Sequence, residues 1–332
     1  MRTIVRHGPD VWDWHHGCDG LRHEREKALS ITTRIRRILC PVDASEPSVQ
    51  ASVQAIAFAQ WSGARVTVLH VSAPPHDVTA ELPPLAAQSA ADTEQAIRSV
   101  MMTPFRDAAE VGVSVELVVR SGVPAREILA CAAQLPADLI VMGTHGASGF
   151  EHLVLGSVTE RVLRRAPCPV LTVPPNSVAT SRLPFERVVC AIDFAACSLA
   201  ALEFAMAASV GSGAALTLAH VLEWPWQEPP PPAFDELPPH EAVALAEYRR
   251  RRECDALTKL ATLVPEQLRD RCHARVSHGR AYVELLRLAA EEDADLIVLG
   301  VHGRNPLDMA LFGSTTNHVV RQATCPVLTV RQ

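Results

Sequence analysis

The chain repeats itself. RRILCPVD (36–43) and ERVVCAIDF (186–194) are apolar runs that reach an aspartate 150 positions apart, and VTVLHV (66–71) meets LTLAHV (216–221) at the same offset. ADLIVMGTHG (137–146) and ADLIVLGVHG (294–303) match at an offset of 157, as do the two copies of CPVLTV. Two homologous domains follow, and the growth of the offset from 150 to 157 gives the second copy seven extra residues between its second and fourth strands.

Within each copy, short Val/Ile/Leu runs alternate with longer helical patterns. That alternation predicts βαβ units: a parallel sheet covered by helices on both faces, in an α/β, doubly wound domain. In the first copy the strands fall at about 36–43, 65–71, 113–119, 138–142 and 169–173. Ser45 is a candidate N-cap for the first helix, with Pro47 in its first turn and Gly63 just past its end; the next long helix is expected to stop at Gly112 in the same way. VPAREILACAAQL and SVTERVLRRA supply two more helices. The expected organisation is an N-terminal arm (1–34) with no counterpart in the repeat and no fixed structure, a first domain (35–173), a linker (174–186) and a second domain (187–332). The proline-rich WPWQEPPPPAFDELPP lies in the second copy and leads into a helix near 240–263.

Composition excludes several classes of function. A formal charge of -6 over 332 residues leaves no basic footprint for nucleic acid, and no apolar run approaches the roughly 20 residues that cross a bilayer. The first residues show no apolar stretch with a cleavage site, so the expected location is cytoplasmic, with the nine cysteines reduced and mostly buried. His15, His16, Cys18 and His23 cluster without the spacing of a structural zinc site, so no metal is assigned to them.

The chemistry lies in a glycine frame. GTHGASGFEHLVLGS and GVHGRNPLDMALFGS share GxxGx9GS, a frame expected by chance at about one position in three thousand and found here twice: Gly143, Gly146, Gly156, Ser157 and Gly300, Gly303, Gly313, Ser314. Each frame follows the fourth strand and its Gly-Ser opens a helix, an arrangement that aims backbone N–H groups at an anion. Glycines there either admit phosphate oxygens or make tight turns. Asp43 and Asp193 each end a first strand. In a sheet of order 3-2-1-4-5, strands one and four are neighbours at the point where connections reverse, and ligands bind in that crevice. A carboxylate there repels phosphate and suits ribose hydroxyls or a base; the alternative is that it caps the following helix.

These residues resemble the universal stress protein family in its tandem form, over nearly all of the chain from about residue 35. The resemblance implies a flavodoxin-like (adenine nucleotide alpha hydrolase-like) sheet and an ATP site in each half, with or without Mg²⁺. By that resemblance Pro41, Val42, Asp43, Val71 and Met142 surround the base and ribose of the first site. Gly143, Gly146, Gly156, Ser157 and Val158 hold its sugar and phosphates, and His145 is a candidate neighbour of the phosphates. The second site has Ala191, Ile192, Asp193, Val221 and Leu299, then Gly300, His302, Gly303, Gly313, Ser314 and Thr315. Pro41 becomes Ala191 and ASEPS becomes FAACS, a departure at the second site.

The chain has neither GxxxxGK[ST] nor GxGxxG after its first strand, so a P-loop ATPase and a dinucleotide dehydrogenase are not expected. The loop offers His145, His152, His302, Arg304 and backbone, which suits binding better than phosphoryl transfer. The expected role is regulatory, with slow ATP hydrolysis or an empty-site scaffold as alternatives, and with affinity of about micromolar order. His145 and His302 read equally well as phosphate neighbours and as exposed loop side chains. The family commonly pairs domains through the last strand, so Val170 to Val173 and Val327 to Val330 are expected side by side within one chain. A homodimer is a further possibility that the resemblance leaves open.

Overall fold

A computed structural model describes residues 4–6, 12–14, 35–72, 90–144, 155–175, 177, 183–223, 238–301 and 313–331. The strands are β1 (Ile4–Arg6), β2 (Trp12–Trp14), β3 (Arg37–Val42), β4 (Arg65–Ser72), β5 (Val115–Ser121), β6 (Leu139–Gly143) and β7 (Val170–Val173), then β8 (Arg187–Ala191), β9 (Ala215–Leu222), β10 (Cys272–His278), β11 (Leu296–Gly300) and β12 (Val327–Val330). The helices are α1 (Glu46–Ser62), α2 (Ala90–Met101), α3 (Pro124–Gln134), α4 (Ser157–Arg165), α5 (Ala196–Ser212), α6 (Pro239–Leu263), α7 (Ala281–Glu291) and α8 (Ser314–Gln322).

Among the described residues the strands join in one twelve-stranded sheet of order β1-β2-β10-β9-β8-β11-β12-β7-β6-β3-β4-β5. Numbered within the repeat, each half has the order 3-2-1-4-5 with parallel neighbours, the doubly wound arrangement. The apolar runs are continuous because both faces are covered: all of β6 is buried. Successive side chains go to opposite layers. Ile38, Cys40, Leu139 and Val141 enter one core and Leu39, Ile140 and Met142 the other, and both cores contain residues of both halves.

Helix α1 shows how local sequence sets this geometry. Ser45 accepts the Ser48 N–H at its start, and Gly63 ends it in the left-handed region at φ 71°, as the sequence marks. Ala51, Ala55 and Ala59 on its buried face let it lie close to the sheet. Two boundaries differ from the sequence pattern. The second long helix ends at Met101, not Gly112, because Pro104 cannot continue it; a 3₁₀ turn, Thr103–Phe105, follows. The third strand begins at Val115 instead of 113, since the Val113 N–H closes back on the Ala108 carbonyl at 2.9 Å and cannot join the ladder.

The two halves meet where β12 runs antiparallel to β7, with Val327 opposite Thr172, Leu328 opposite Leu171 and Thr329 opposite Val170. The contact is reciprocal in its side chains as well. Thr172 Oγ1 donates to the Val327 carbonyl and Thr329 Oγ1 to the Val170 carbonyl, each at 3.1 Å and buried. Phe185, at the end of the linker, is buried with Phe58 and Trp61 of α1, ring centroids 6.3 Å from each.

Within residues 1–34, β1 and β2 pair antiparallel and β2 sets Trp12 opposite Ala274 of β10. Over those strands the arm is part of the sheet, not a segment without structure. His15, His16, Cys18 and His23 lie outside the described residues, as does most of the proline-rich insert. Among the described residues no His/Cys/Asp/Glu group is arranged for a metal, and no helix is long and apolar enough to cross a membrane. Of the described cysteines, Cys168 is half-buried, Cys254 exposed and the others buried, all as free thiols.

Candidate functional site

The first strand of each half delivers its aspartate into a tight turn. Ala44 takes φ 63°, and the turn is held by Asp43 Oδ1, which accepts from the Ser45 N–H at 3.1 Å and the Ser45 hydroxyl at 2.5 Å. The Asp43 N–H in turn donates to Ser48 Oγ at 3.1 Å. The second half repeats this: Phe194 has φ 62°, the Ala195 N–H donates to Asp193 Oδ1 at 2.9 Å and the Asp193 N–H to Ser198 Oγ at 3.3 Å. The helix cap in the first half is therefore Ser45, and Asp43 sets the turn that places it.

A histidine braces each turn from the neighbouring strand. His70 Nδ1 lies 3.0 Å from the Val42 carbonyl, and His220 Nδ1 lies 2.7 Å from that of Ile192. A carbonyl only accepts, so Nδ1 carries the proton in both. Burial lowers the pKa of His220, against the opposing effects of that hydrogen bond and of Asp193. Arg252 and Lys259 of α6 push the same way as burial. Lys259 Nζ also sits 5.7 Å from the Phe194 ring, which lies 4.8 Å from the His220 ring.

The glycines have two distinct reasons. A Cβ on Gly143 would stand 2.9 Å from the Pro47 carbonyl oxygen, and one on Gly300 would stand 2.4 Å from the Cys197 carbonyl carbon and 2.5 Å from the Ser198 nitrogen. The first glycine of each frame thus lets the start of α1 or α5 pack against the end of the fourth strand. The last glycine is different. Gly156 and Gly313 have φ of −58° and −45°, open to any residue, and among the described residues a Cβ on Gly313 would find only Thr316 Oγ1, at 3.9 Å. Nothing in the described protein requires glycine at position 313.

Gly156 caps α4 without a side chain, so no side chain of the cap takes up the amides of the first turn. Two contacts fix that helix start on the strand: Thr159 Oγ1 donates to the Gly143 carbonyl in a buried bond and the Gly156 N–H to the Thr144 carbonyl, both at 2.9 Å. The result is a pocket of about 190 Å³ between β3, β4 and β6. It brings together Pro41, Val42, Asp43, Val71, Met142, Gly143, Gly156, Ser157 and Val158. Ser48, Leu69, Pro124, Ile128 and Thr159 complete the lining, and the sequence reading had not singled them out. Leu69 sits two residues before Val71 on one face of β4, a periodicity from which it could have been read. Asp43 is the one charged side chain among the described lining residues.

In the second half Ala191 ends β8, with Ile192 and Asp193 next, and Val221 lies on β9. Leu299 and Gly300 end β11, and Gly313, Ser314 and Thr315 open α8. His145, Gly146, His302 and Gly303 fall outside the described residues. Another role emerges from the start of the fourth strands. Asp138 Oδ2 accepts the Arg36 and Arg37 N–H groups at 3.0 Å each, and the Asp295 carboxylate accepts those of Glu186 and Arg187 at 2.6 and 3.1 Å. The aspartate of each ADLIV run is thus a structural tie between strands four and one, remote from the pocket.

Fold and pocket together define an α/β protein whose doubly wound unit is built twice, with a cleft at the strand-order reversal of the first half. The sequence matches the universal stress protein family over residues 34–174 and 184–331, and the chain belongs to that family. A universal stress protein of Mycolicibacterium smegmatis is 29% identical over 304 residues, 89% of this chain and 96% of the relative. The crystal structure of a universal stress protein from Archaeoglobus fulgidus covers 90% of this chain and 99% of its own length at a TM-score of 0.63 and 23% identity, a likeness of fold. A shorter universal stress protein, solved in complex with cAMP, covers 42% of this chain and 98% of its own at 23% identity and a TM-score of 0.33.

Proposed function

We propose that this chain is a nucleotide-binding regulator of the stress response that takes ATP, with or without Mg²⁺, in each half. One observation carries the reading: Asp43 and the start of α4 at Gly156–Ser157, which has no side-chain cap, line the same pocket. A carboxylate suits sugar hydroxyls or base N–H groups, and amides at the positive end of a helix suit phosphate, so the two ends match the two halves of a nucleotide. The apolar wall of Val42, Leu69, Val71, Ile128 and Met142 suits a base between them. With no lysine or arginine in the described lining, the pocket favours binding over rapid hydrolysis.

The same reading treats the two halves as one unit joined through β7 and β12, which the register of those strands supports. Calorimetric titration of the full chain with ATP, with and without Mg²⁺, is the test. Saturable heat that weakens at least about tenfold in Asp43→Asn combined with Asp193→Asn is expected, from loss of one charged hydrogen bond at each site. Folded protein that shows no saturation at millimolar ATP, or a double variant that binds as the wild type does, would defeat it.

A further inference from the structure

The two ends of the sheet differ. At one end β10 receives β2 as an antiparallel neighbour. At the other end, among the described residues, β5 is paired on one side alone, with β4. β10 and β5 are the same element of the repeat, so this strand position already accepts an added antiparallel strand in one half of the molecule.

The backbone of β5 fixes which groups face outward. The Ser114 carbonyl accepts the Val66 N–H at 2.9 Å, and the Gly122 N–H donates to the Ser72 carbonyl at 3.0 Å. Backbone groups alternate sides along a strand, so Glu116, Val118 and Arg120 turn theirs to β4, while Val115, Leu117, Val119 and Ser121 turn theirs to the open edge.

The side chains are self-complementary about Val118. In two copies set antiparallel around a two-fold axis at that residue, Glu116 of each opposes Arg120 of the other, and Leu117 opposes Val119. Because residues 116, 118 and 120 turn their backbone inward, the two Glu–Arg pairs fall at non-hydrogen-bonded positions, where opposed side chains come closest. The 117–119 and 115–121 pairs would exchange amide hydrogen bonds. Centring the axis on Leu117 or Val119 opposes no unlike charges. Both charged side chains are already ordered: Glu116 accepts from Thr67 Oγ1 at 2.8 Å, and Arg120 donates to Gln134 at 2.6 Å and lies 3.7 Å from Glu127. Little freedom is therefore lost on pairing. Val111 and Val123, on the chain either side of the strand, are 42% and 53% exposed.

We propose that β5 is the surface through which two copies of this chain associate, antiparallel about Val118, so that the sheet continues across the dimer. The test is sedimentation of the full-length protein over a concentration series, with circular dichroism to verify folding of each variant. The wild type should rise from 35.9 kDa towards twice that mass. Glu116→Arg and Arg120→Glu, each placing like charges opposite one another, should weaken association at least about tenfold. The combined E116R/R120E variant should recover it, although neither new side chain regains the original partner within its own chain. A wild type that stays monomeric at the highest reachable concentration would overturn the proposal. So would single reversals that associate normally, or a folded double variant that does not recover.

Discussion

Alanine at the two ends of the second glycine frame should produce opposite results. At Gly300 the new Cβ falls 2.4–2.6 Å from backbone atoms of Cys197 and Ser198, which no rotamer change relieves, so the start of α5 must move off the sheet. Overpacking against backbone costs about 1–3 kcal/mol or more. At Gly143 the nearest atoms are at 2.9–3.0 Å, so the cost should sit at the lower end of that range. At Gly313, the N-cap of α8, the nearest atom among the described residues is a side-chain oxygen at 3.9 Å and φ is −45°, so folding stability should fall by no more than about 1 kcal/mol, the preference for glycine over alanine at a cap. A phosphate drawn onto the first turn of α8 would meet that same methyl group. Urea unfolding of the full chain, paired with ATP calorimetry, separates the two effects. Gly300→Ala should lose clearly more stability than Gly313→Ala, and Gly313→Ala should lose binding at the second site. If Gly313→Ala binds ATP with the wild-type stoichiometry and affinity, the glycine does not make room for a ligand and the reasoning fails. If Gly300→Ala is as stable as the wild type, the packing account fails instead.

Phe185→Ala should destabilise by about 3–5 kcal/mol, because the linker ring is 1% exposed against Phe58 and Trp61; a thermal midpoint within a degree of wild type would contradict this. Asp295→Ala should cost about 2–3 kcal/mol in urea unfolding by leaving the Glu186 and Arg187 amides without their carboxylate, while leaving ATP affinity unchanged. For His220, burial holds the folded-state pKa below the ordinary 6.5, so the unfolded chain takes up the proton first as pH falls. Stability associated with neutral His220 is present above 6.5 and lost below it, and His220→Gln should flatten that acid limb in a series of unfolding curves.

The repeat made most of the fold legible. Two copies at fixed offsets establish two domains, and apolar runs with helical spacers between them imply parallel strands buried on both faces, as β6 is. The cap at Ser45 and the stop at Gly63 were readable because their chemistry is local. Boundaries set by longer reach were not. Val113 has the composition of a strand residue, and only its bond to the Ala108 carbonyl keeps it out. The candidate site was legible to the extent that Asp43 and the Gly156–Ser157 helix start could be placed beside each other from the sheet order alone. The separate duties of the glycines could not be read, since GxxGx9GS does not say which glycine faces a helix and which faces open space. Nor could the duty of Asp138 and Asp295, whose partners lie about a hundred positions away in the chain.

The antiparallel meeting of β7 and β12 has a directional consequence. Strands within each half run parallel, so reversing one half against the other points the carboxyl ends of the two sets of strands towards opposite poles of the molecule. The pocket beside Asp43 lies at one pole, and Asp193, its counterpart in the repeat, at the other. Two sites built as proposed, one in each half, would therefore face away from each other across the length of the sheet.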